Sequence, residues 1–214
     1  MRTEQQSYVA EVLQRLKQRY HDKMQTELTH RNTTDLFVAV LLSPQCTDKQ
    51  VNVVTKPLFK KYRSFNDYAN ADPRQLTKYL SGLNYYKTKA RNLRMAARMI
   101  VTEYNNKLPK TLEGLMTLQG VGRKVGNVVL NEGFGISDGI AIDTHCITVS
   151  QRIGFTRHKK PDKIEIDLMR KVPEKDWKVA SNLLIALGRD TCQARRKFCE
   201  RCVLKDICPS STVT

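Results

Sequence analysis

Helical spacing of apolar residues constrains this chain more than any other feature. Over most of its 214 residues the apolar positions recur every three or four, and the alternation expected of a half-buried strand is scarce. Residues 8–20 read as one helix. The stretch "TTDLFVAVLLS" reads as a buried helix capped at Thr33 or Thr34, and Thr47 stands three residues before Gln50, the spacing of a capping box. Asp72 before Pro73 joins an N-cap to a proline at the first helical position. An amphipathic helix over 86–104 carries Leu93, Ala97, Ile100 and Tyr104 on one face. Shorter helices are expected over 112–117 and 122–130. Asp143 reads as the cap of "THCITVSQRIG", and Trp177, Ala180, Leu184 and Leu187 line the inner face of the last long helix. The expected class is all-α. "NEGFGISDG", rich in glycine and aperiodic, is the best place to divide the chain.

Charge narrows the partner. Thirty-seven Lys and Arg against 21 Asp and Glu leave a formal charge of +16, a surplus suited to a polyanion, most simply nucleic acid. No basic amphipathic anchor favours a membrane instead. The N-terminus "MRTEQQSYVA" lacks the apolar core of a secretory signal, and the longest apolar run, Leu36 to Leu42, is far too short to cross a bilayer. A soluble cytoplasmic protein is expected, acting on the nucleoid of a prokaryote. In such a reducing compartment the six cysteines do not read as a disulfide framework.

Four of those cysteines, Cys192, Cys199, Cys202 and Cys208, fall within the seventeen residues "CQARRKFCERCVLKDIC". Four soft ligands so close together can wrap one metal centre. Four-cysteine zinc sites usually pair two C-x2-C knuckles, and only Cys199 and Cys202 form one here; the wider gaps suit a bulkier iron–sulfur cubane, with zinc the alternative. A metal clip would hold Arg195, Arg196 and Lys197 out on a short loop, able to press against a phosphate backbone; a solvated charge run is the plainer possibility. Cys46 and Cys146 lie in apolar stretches and read as small buried hydrophobes.

The segment "LQGVGRKVGN" between two helices has the pattern of a helix-hairpin-helix, though a plain turn between helices has the same outline. Gly120 and Gly122 let the backbone turn tightly and approach a ligand, and the bare N–H groups of the second helix can hold a phosphate. No strand precedes it and no G-x-x-x-x-G-K-[ST] is present, so dinucleotide and nucleotide-loop readings fail. Arg123 and Lys124 bring cations to a helix start, where the dipole disfavours them. An amine attacks only when unprotonated, and its ordinary pKa is about 10.4. The helix terminus, Arg123 and partial burial would each lower that value, making Lys124 a nucleophile able to form a Schiff base; an ordinary phosphate-contacting lysine is the alternative. Asp143 in "IAIDTH" can be a cap, a carboxylate that takes the lysine's proton or steadies a cationic sugar, or both.

Together "LQGVGRKVGNVVLN", "IAIDTH" and C-x6-C-x2-C-x5-C, in that order, resemble the endonuclease III family, bifunctional DNA glycosylase/AP lyases of the helix-hairpin-helix-GPD superfamily. The likeness extends over nearly the whole chain, "AVLLSPQCTD" included. It implies two helical domains: a six-helix barrel over about 25–135, with the hairpin at about 112–131, and a [4Fe–4S] domain formed by 1–24 and 136–214. DNA carrying damaged bases or abasic sites would lie across the cleft, bound by a monomer. The motif match makes Lys124 the nucleophile at C1′ and Asp143 its acidic partner. An oxidised pyrimidine is lost and β-elimination cuts the 3′ side, after the base has been flipped from the duplex.

The likeness also assigns DNA contacts to Leu118, Gly120, Val121, Gly122, Arg123 and His145, beside Arg195, Arg196 and Lys197. Gln45 matches one of two residues that fill the vacated stack. The other falls in "GLNYYKTKA", which departs from the commoner "GLYxxKA"; counting back from Lys89 puts Tyr85 at the usual leucine wedge, with Leu83 in its place if the register slips. One extra residue stands in the loop before Asp143.

Two other functions compete. An adenine-mismatch glycosylase of the same superfamily requires an acid in the helix containing "FVAVLLSPQCT", and residues 36–47 contain none; that branch also carries a C-terminal recognition domain, whereas this chain stops six residues after Cys208. A non-catalytic DNA-binding protein with a metal clip would share the charge, glycine turn and cysteines. Only Lys124 with Asp143 separates it from the enzyme.

Overall fold

A computed structural model describes residues 2–213. Eleven α-helices appear among them, and a lone antiparallel bridge between Cys192 and Lys197 is the only extended pairing. The chain divides into two units, 27–138 and 1–26 with 139–214, each with its own apolar core.

The discontinuous unit begins with α1 (Arg2–Arg19), which starts six residues before the periodic pattern does because its first turns are polar and carry no apolar stripe. Val9, Val12, Leu13 and Leu16 are its buried face.

The continuous unit holds α2 to α8. In α2 (Thr33–Leu42) every residue from Asp35 onward is buried. Its cap is Asn32, whose side chain accepts from Asp35 N at 2.9 Å, so Thr33 and Thr34 lie inside the helix rather than at its cap. Asparagine is as good a cap as any hydroxyl residue. Buried Asp35 takes Arg31 Nε at 2.6 Å, and Arg31 Nη2 reaches the Phe59 carbonyl at 2.9 Å. A capping box of Thr47 and Gln50 opens α3 (Asp48–Lys61). The five-residue α4 (Phe65–Ala69), too short to show a period, has its own box of Ser64 and Asp67. Asp72 caps α5 (Pro73–Tyr79), with proline at the first helical position. In α6 (Tyr86–Glu103), Leu93, Ala97 and Ile100 are buried as their spacing requires, and Tyr104 is half-buried.

The hairpin pairs α7 (Leu112–Met116) with α8 (Arg123–Val129). Beyond α8 the chain continues in a wide π-helical turn, Leu130–Phe134, that ends at Gly135 in the left-handed region. Part of "NEGFGISDG" is therefore helical, not loop. The discontinuous unit resumes with α9 (Thr144–Arg152), α10 (Pro161–Lys171) and α11 (Trp177–Asp190). Ala180, Leu184 and Leu187 are buried on α11. Among the described residues no helix is long and apolar enough to cross a membrane.

Candidate functional site

The hairpin turn is closed by two backbone bonds, Leu118 N to Leu115 O at 3.1 Å and Val121 N to Leu118 O at 3.0 Å. Leu118 and Val121 bury their side chains in the core, so either could meet a ligand only through its backbone. Gly120, Gly122, Arg123 and Lys124 form the exposed rim. The two glycines serve different needs. Gly120 has φ +84°, and a Cβ there would stand 2.8 Å from Asn92 Nδ2 and 3.1 Å from Asn92 Cβ. Gly122 has φ −96°, which any residue adopts, and nothing lies within 4 Å of its would-be Cβ. As the N-cap of α8 it offers no side-chain acceptor to the first-turn N–H groups. The result is an uncapped helix start with open space before it, a setting that suits an anion.

Lys124 sits in that first turn, exposed, with no hydrogen bond or ion pair among the described residues. The partial burial expected from the sequence is therefore absent at Lys124.

Two loops of the same unit, one between α2 and α3 and one before α6, meet each other. Gln45 (φ 58°) and Tyr85 (φ 56°) are both non-glycine residues in the left-handed region, and both side chains are exposed, Tyr85 by 65%. Leu83, the register-slipped alternative, is 3% exposed within the core. Asn84 Nδ2 donates to the Gln45 carbonyl at 2.6 Å. Lys89 Nζ, on a side chain buried to 8% exposure, donates to the Pro44 carbonyl at 2.8 Å and to Cys46 Sγ at 3.0 Å. Cys46 is half-buried and so only partly a core hydrophobe. Sequence reasoning missed Lys89, although a signal existed: it stands four residues before Leu93 and eight before Ala97, on the apolar stripe of α6, where a lysine has no place unless paired.

In the discontinuous unit Asp143 caps α9, its Oδ1 accepting from Cys146 N at 2.8 Å. The Cys146 side chain is fully buried against Ala141 and Ser181, and burial, reinforced by the Asp143 carboxylate, pushes its thiol well above the usual range. His145 is half-buried, its ring against Gly188 of α11.

The four clustered cysteines line a single cavity of about 360 Å³, its open mouth included, together with Arg152, Leu187, Lys197, Phe198 and Leu204. All are free thiols. Among the described residues no three His, Cys, Asp or Glu side chains form a group that could hold a metal ion. Four thiols lining one cavity are the donor set that an iron–sulfur cluster takes. Hydrogen-bond donors suited to thiolates are present: Arg152 Nη1 reaches Cys192 Sγ at 3.3 Å, and Leu204 N reaches Cys202 Sγ at 3.4 Å.

Arg152, which the sequence did not flag because a cation at a helix C-terminus is ordinary, also binds the carbonyls of Cys192, Gln193 and Ala194 at 2.8–3.1 Å. The loop it grips carries exposed Arg195 and Arg196. Arg196 and Arg201 both lie 4.6 Å from the Phe198 ring centroid. Lys197 is not presented outward as expected: it is half-buried and its Nζ donates to the Ser210 carbonyl at 2.8 Å, tying the loop to the tail.

The HhH-GPD superfamily of base excision DNA repair proteins matches residues 38–174. An endonuclease III of Synechocystis sp. is 41% identical over 184 residues, 86% of this chain and 84% of that protein. Among solved structures, a non-covalent endonuclease III–DNA complex superposes with a TM-score of 0.90 at 37% identity, over 96% of this chain and 95% of that one. A trapped endonuclease III–DNA covalent intermediate, in an estranged-adenine complex, gives 0.89 at 36%, over 98% and 96%.

Proposed function

Because this chain belongs to the HhH-GPD superfamily of base excision DNA repair proteins, we propose that it is a DNA glycosylase with AP lyase activity, removing oxidised pyrimidines from duplex DNA. The observation that carries this reading is the hairpin rim: a glycine whose missing side chain leaves open space, an uncapped helix start, and one exposed lysine whose side chain has no partner among the described residues.

The rim would take backbone phosphate on the first-turn N–H groups of α8, which sets Lys124 beside the sugar. Deprotonated Nζ attacks C1′; the bond from C1′ to the base breaks, and the base leaves with the bonding pair and acquires a proton. Loss of the second amine proton, with opening of the sugar ring, leaves a protonated Schiff base between Nζ and C1′. Removal of a C2′ proton then expels the 3′ phosphate and cuts the strand. Asp143 is the acidic partner in this scheme, receiving the proton that Nζ sheds and countering positive charge on the sugar.

The same reading has Cys192, Cys199, Cys202 and Cys208 hold a [4Fe–4S] cluster in the cavity they line. That group supplies no bond-making step; it fixes the shape of the loop on which Arg195 and Arg196 meet phosphate. Gln45 and Tyr85 fill the gap left by the flipped nucleotide, with the Tyr85 ring stacking on the orphaned base.

Borohydride reduction on abasic-site duplex tests the central step. The wild-type protein should become covalently linked to DNA and Lys124→Gln should not. No adduct with wild type overturns the lyase reading and favours a DNA-binding protein. Iron analysis of the purified protein tests the cluster; stoichiometric zinc in place of iron would overturn that part.

A further inference from the structure

Gln45 and Tyr85 stand in a costly arrangement. Neither is a glycine or asparagine, yet both occupy the left-handed region, in which a bulky side chain is strained. Such strain persists only where neighbouring contacts over-determine it. Both side chains are exposed, so packing of their own cannot be what holds them.

The contacts that do so come from one short segment. Asn84 takes the Gln45 carbonyl, and Lys89 takes the carbonyl of Pro44 and the sulfur of Cys46, so all three residues 44–46 are gripped from 84–89. Lys89 also fixes the other loop: its backbone N–H donates to the Tyr85 carbonyl at 3.0 Å, the first helical bond of α6. A single residue thus bonds the neighbours of Gln45 with its side chain and Tyr85 with its main chain. Its position is unfavourable for anything else. An ammonium in the first turn of a helix opposes the dipole, and one buried to this degree gives up most of its water. The Pro44 carbonyl and, more weakly, the Cys46 sulfur recover part of that loss.

We infer that Lys89 is a positioning residue that, with Asn84, assembles the Gln45 and Tyr85 loops into one rigid two-pronged wedge before DNA arrives. The inference rests on the reading of Gln45 and Tyr85 as the residues that enter the vacated stack. Holding both in their strained conformations in the free protein removes an ordering step from base flipping. Lys89 touches neither DNA nor the reacting atoms. Its effect should fall on substrates that need a base extruded and spare those that do not.

The experiment compares two single-turnover rates: excision of an oxidised pyrimidine from paired duplex, and β-elimination on an abasic site in single-stranded DNA. Lys89→Met keeps the length of the side chain and removes the donor. It should lose about tenfold or more on the duplex, the equivalent of roughly one lost charged hydrogen bond. On the single strand it should stay within about twofold, since that small a change is about what a few tenths of a kcal/mol would produce. In a Gln45→Ala/Tyr85→Ala background the same substitution should cause no further duplex loss, because its action passes through those side chains. A merely structural lysine would depress both substrates alike and would be additive with the wedge substitutions; either result overturns the inference. Normal duplex excision by Gln45→Ala/Tyr85→Ala would instead sink the wedge reading itself. If that pair is impaired while Lys89→Met is not, only the positioning role fails. Should Lys89→Met not fold, Asn84→Ala, at an exposed position, removes one brace and should show the same split between substrates in weaker form; an equal loss on both overturns the inference.

Discussion

Replacing each hairpin glycine by alanine separates what the fold needs from what a ligand needs. At Gly122 the backbone is extended and a Cβ would meet nothing within 4 Å. Alanine is a poorer N-cap than glycine by about 0.5–1 kcal/mol, and reduced freedom in the unfolded chain returns about 0.4–1 kcal/mol. These nearly cancel, so Gly122→Ala should melt within about 3 °C of wild type, using about 2–4 °C per kcal/mol for a chain of this size. At Gly120 the positive φ costs alanine about 1–2 kcal/mol, and Asn92 has to yield to a Cβ at 2.8–3.1 Å, a further 1–3 kcal/mol or so. Gly120→Ala should therefore lose roughly 2–5 kcal/mol and melt about 4–20 °C lower.

Binding should rank the two the other way. The methyl group of Gly122→Ala fills the space where a phosphate meets the first-turn N–H groups of α8. Losing one such charge-assisted bond is worth about 1.5–3 kcal/mol, or roughly 10- to 150-fold in affinity. The assay is thermal melting beside anisotropy titration of a duplex carrying an uncleavable abasic analogue, at one fixed salt concentration. Wild-type affinity for Gly122→Ala would refute the claim that the open space is a binding site. A melting loss as large as that of Gly120→Ala would show that the fold, not a ligand, requires the second glycine.

Asp143→Asn should retain the cap, since asparagine also accepts from the Cys146 amide, and melt within about 2 °C of wild type; its excision rate should fall at least about 100-fold, as loss of a general base does. Equal activity would reduce Asp143 to a cap. Arg152→Met removes four of the bonds that hold the cysteine loop, to three carbonyls and Cys192 Sγ. Iron should then be lost severalfold faster to a chelator, followed by the visible absorbance of the protein, and DNA affinity should fall with it. Unchanged iron retention would show that the loop is held without the arginine.

What the sequence revealed follows the range of the interaction concerned. The Thr47–Gln50 box, the Asp72–Pro73 start and the cap at Asp143 are all contacts between residues three apart, and each formed as its spacing required. The buried stripe of α6 was equally legible, since a helical period is itself a local rule. The extent of α1 was not, because its first turns are polar and show no period. The all-helical class needed only these local rules. Lys197 was misread because its partner, the Ser210 carbonyl, lies thirteen residues away, and nothing in a run of three cations says which one folds back. Arg152 and Lys89 failed in the same way: their acceptors lie about forty residues off in sequence.

Gly120 and Gly122 show the limit most clearly. Two residues apart in one motif, they look interchangeable in sequence, and the same freedom of approach is the natural reading of both. In the fold, Gly120 is held to glycine by its own φ and by Asn92, a residue of α6 that no spacing rule links to the hairpin. Gly122 is under no such constraint from the protein. Its ordinary backbone and open surroundings leave only the modest preference of an N-cap for glycine over alanine. A phosphate on the first-turn N–H groups of α8 would add a demand of its own, the absence of a methyl, and in the proposed reaction it would set Lys124 beside the sugar.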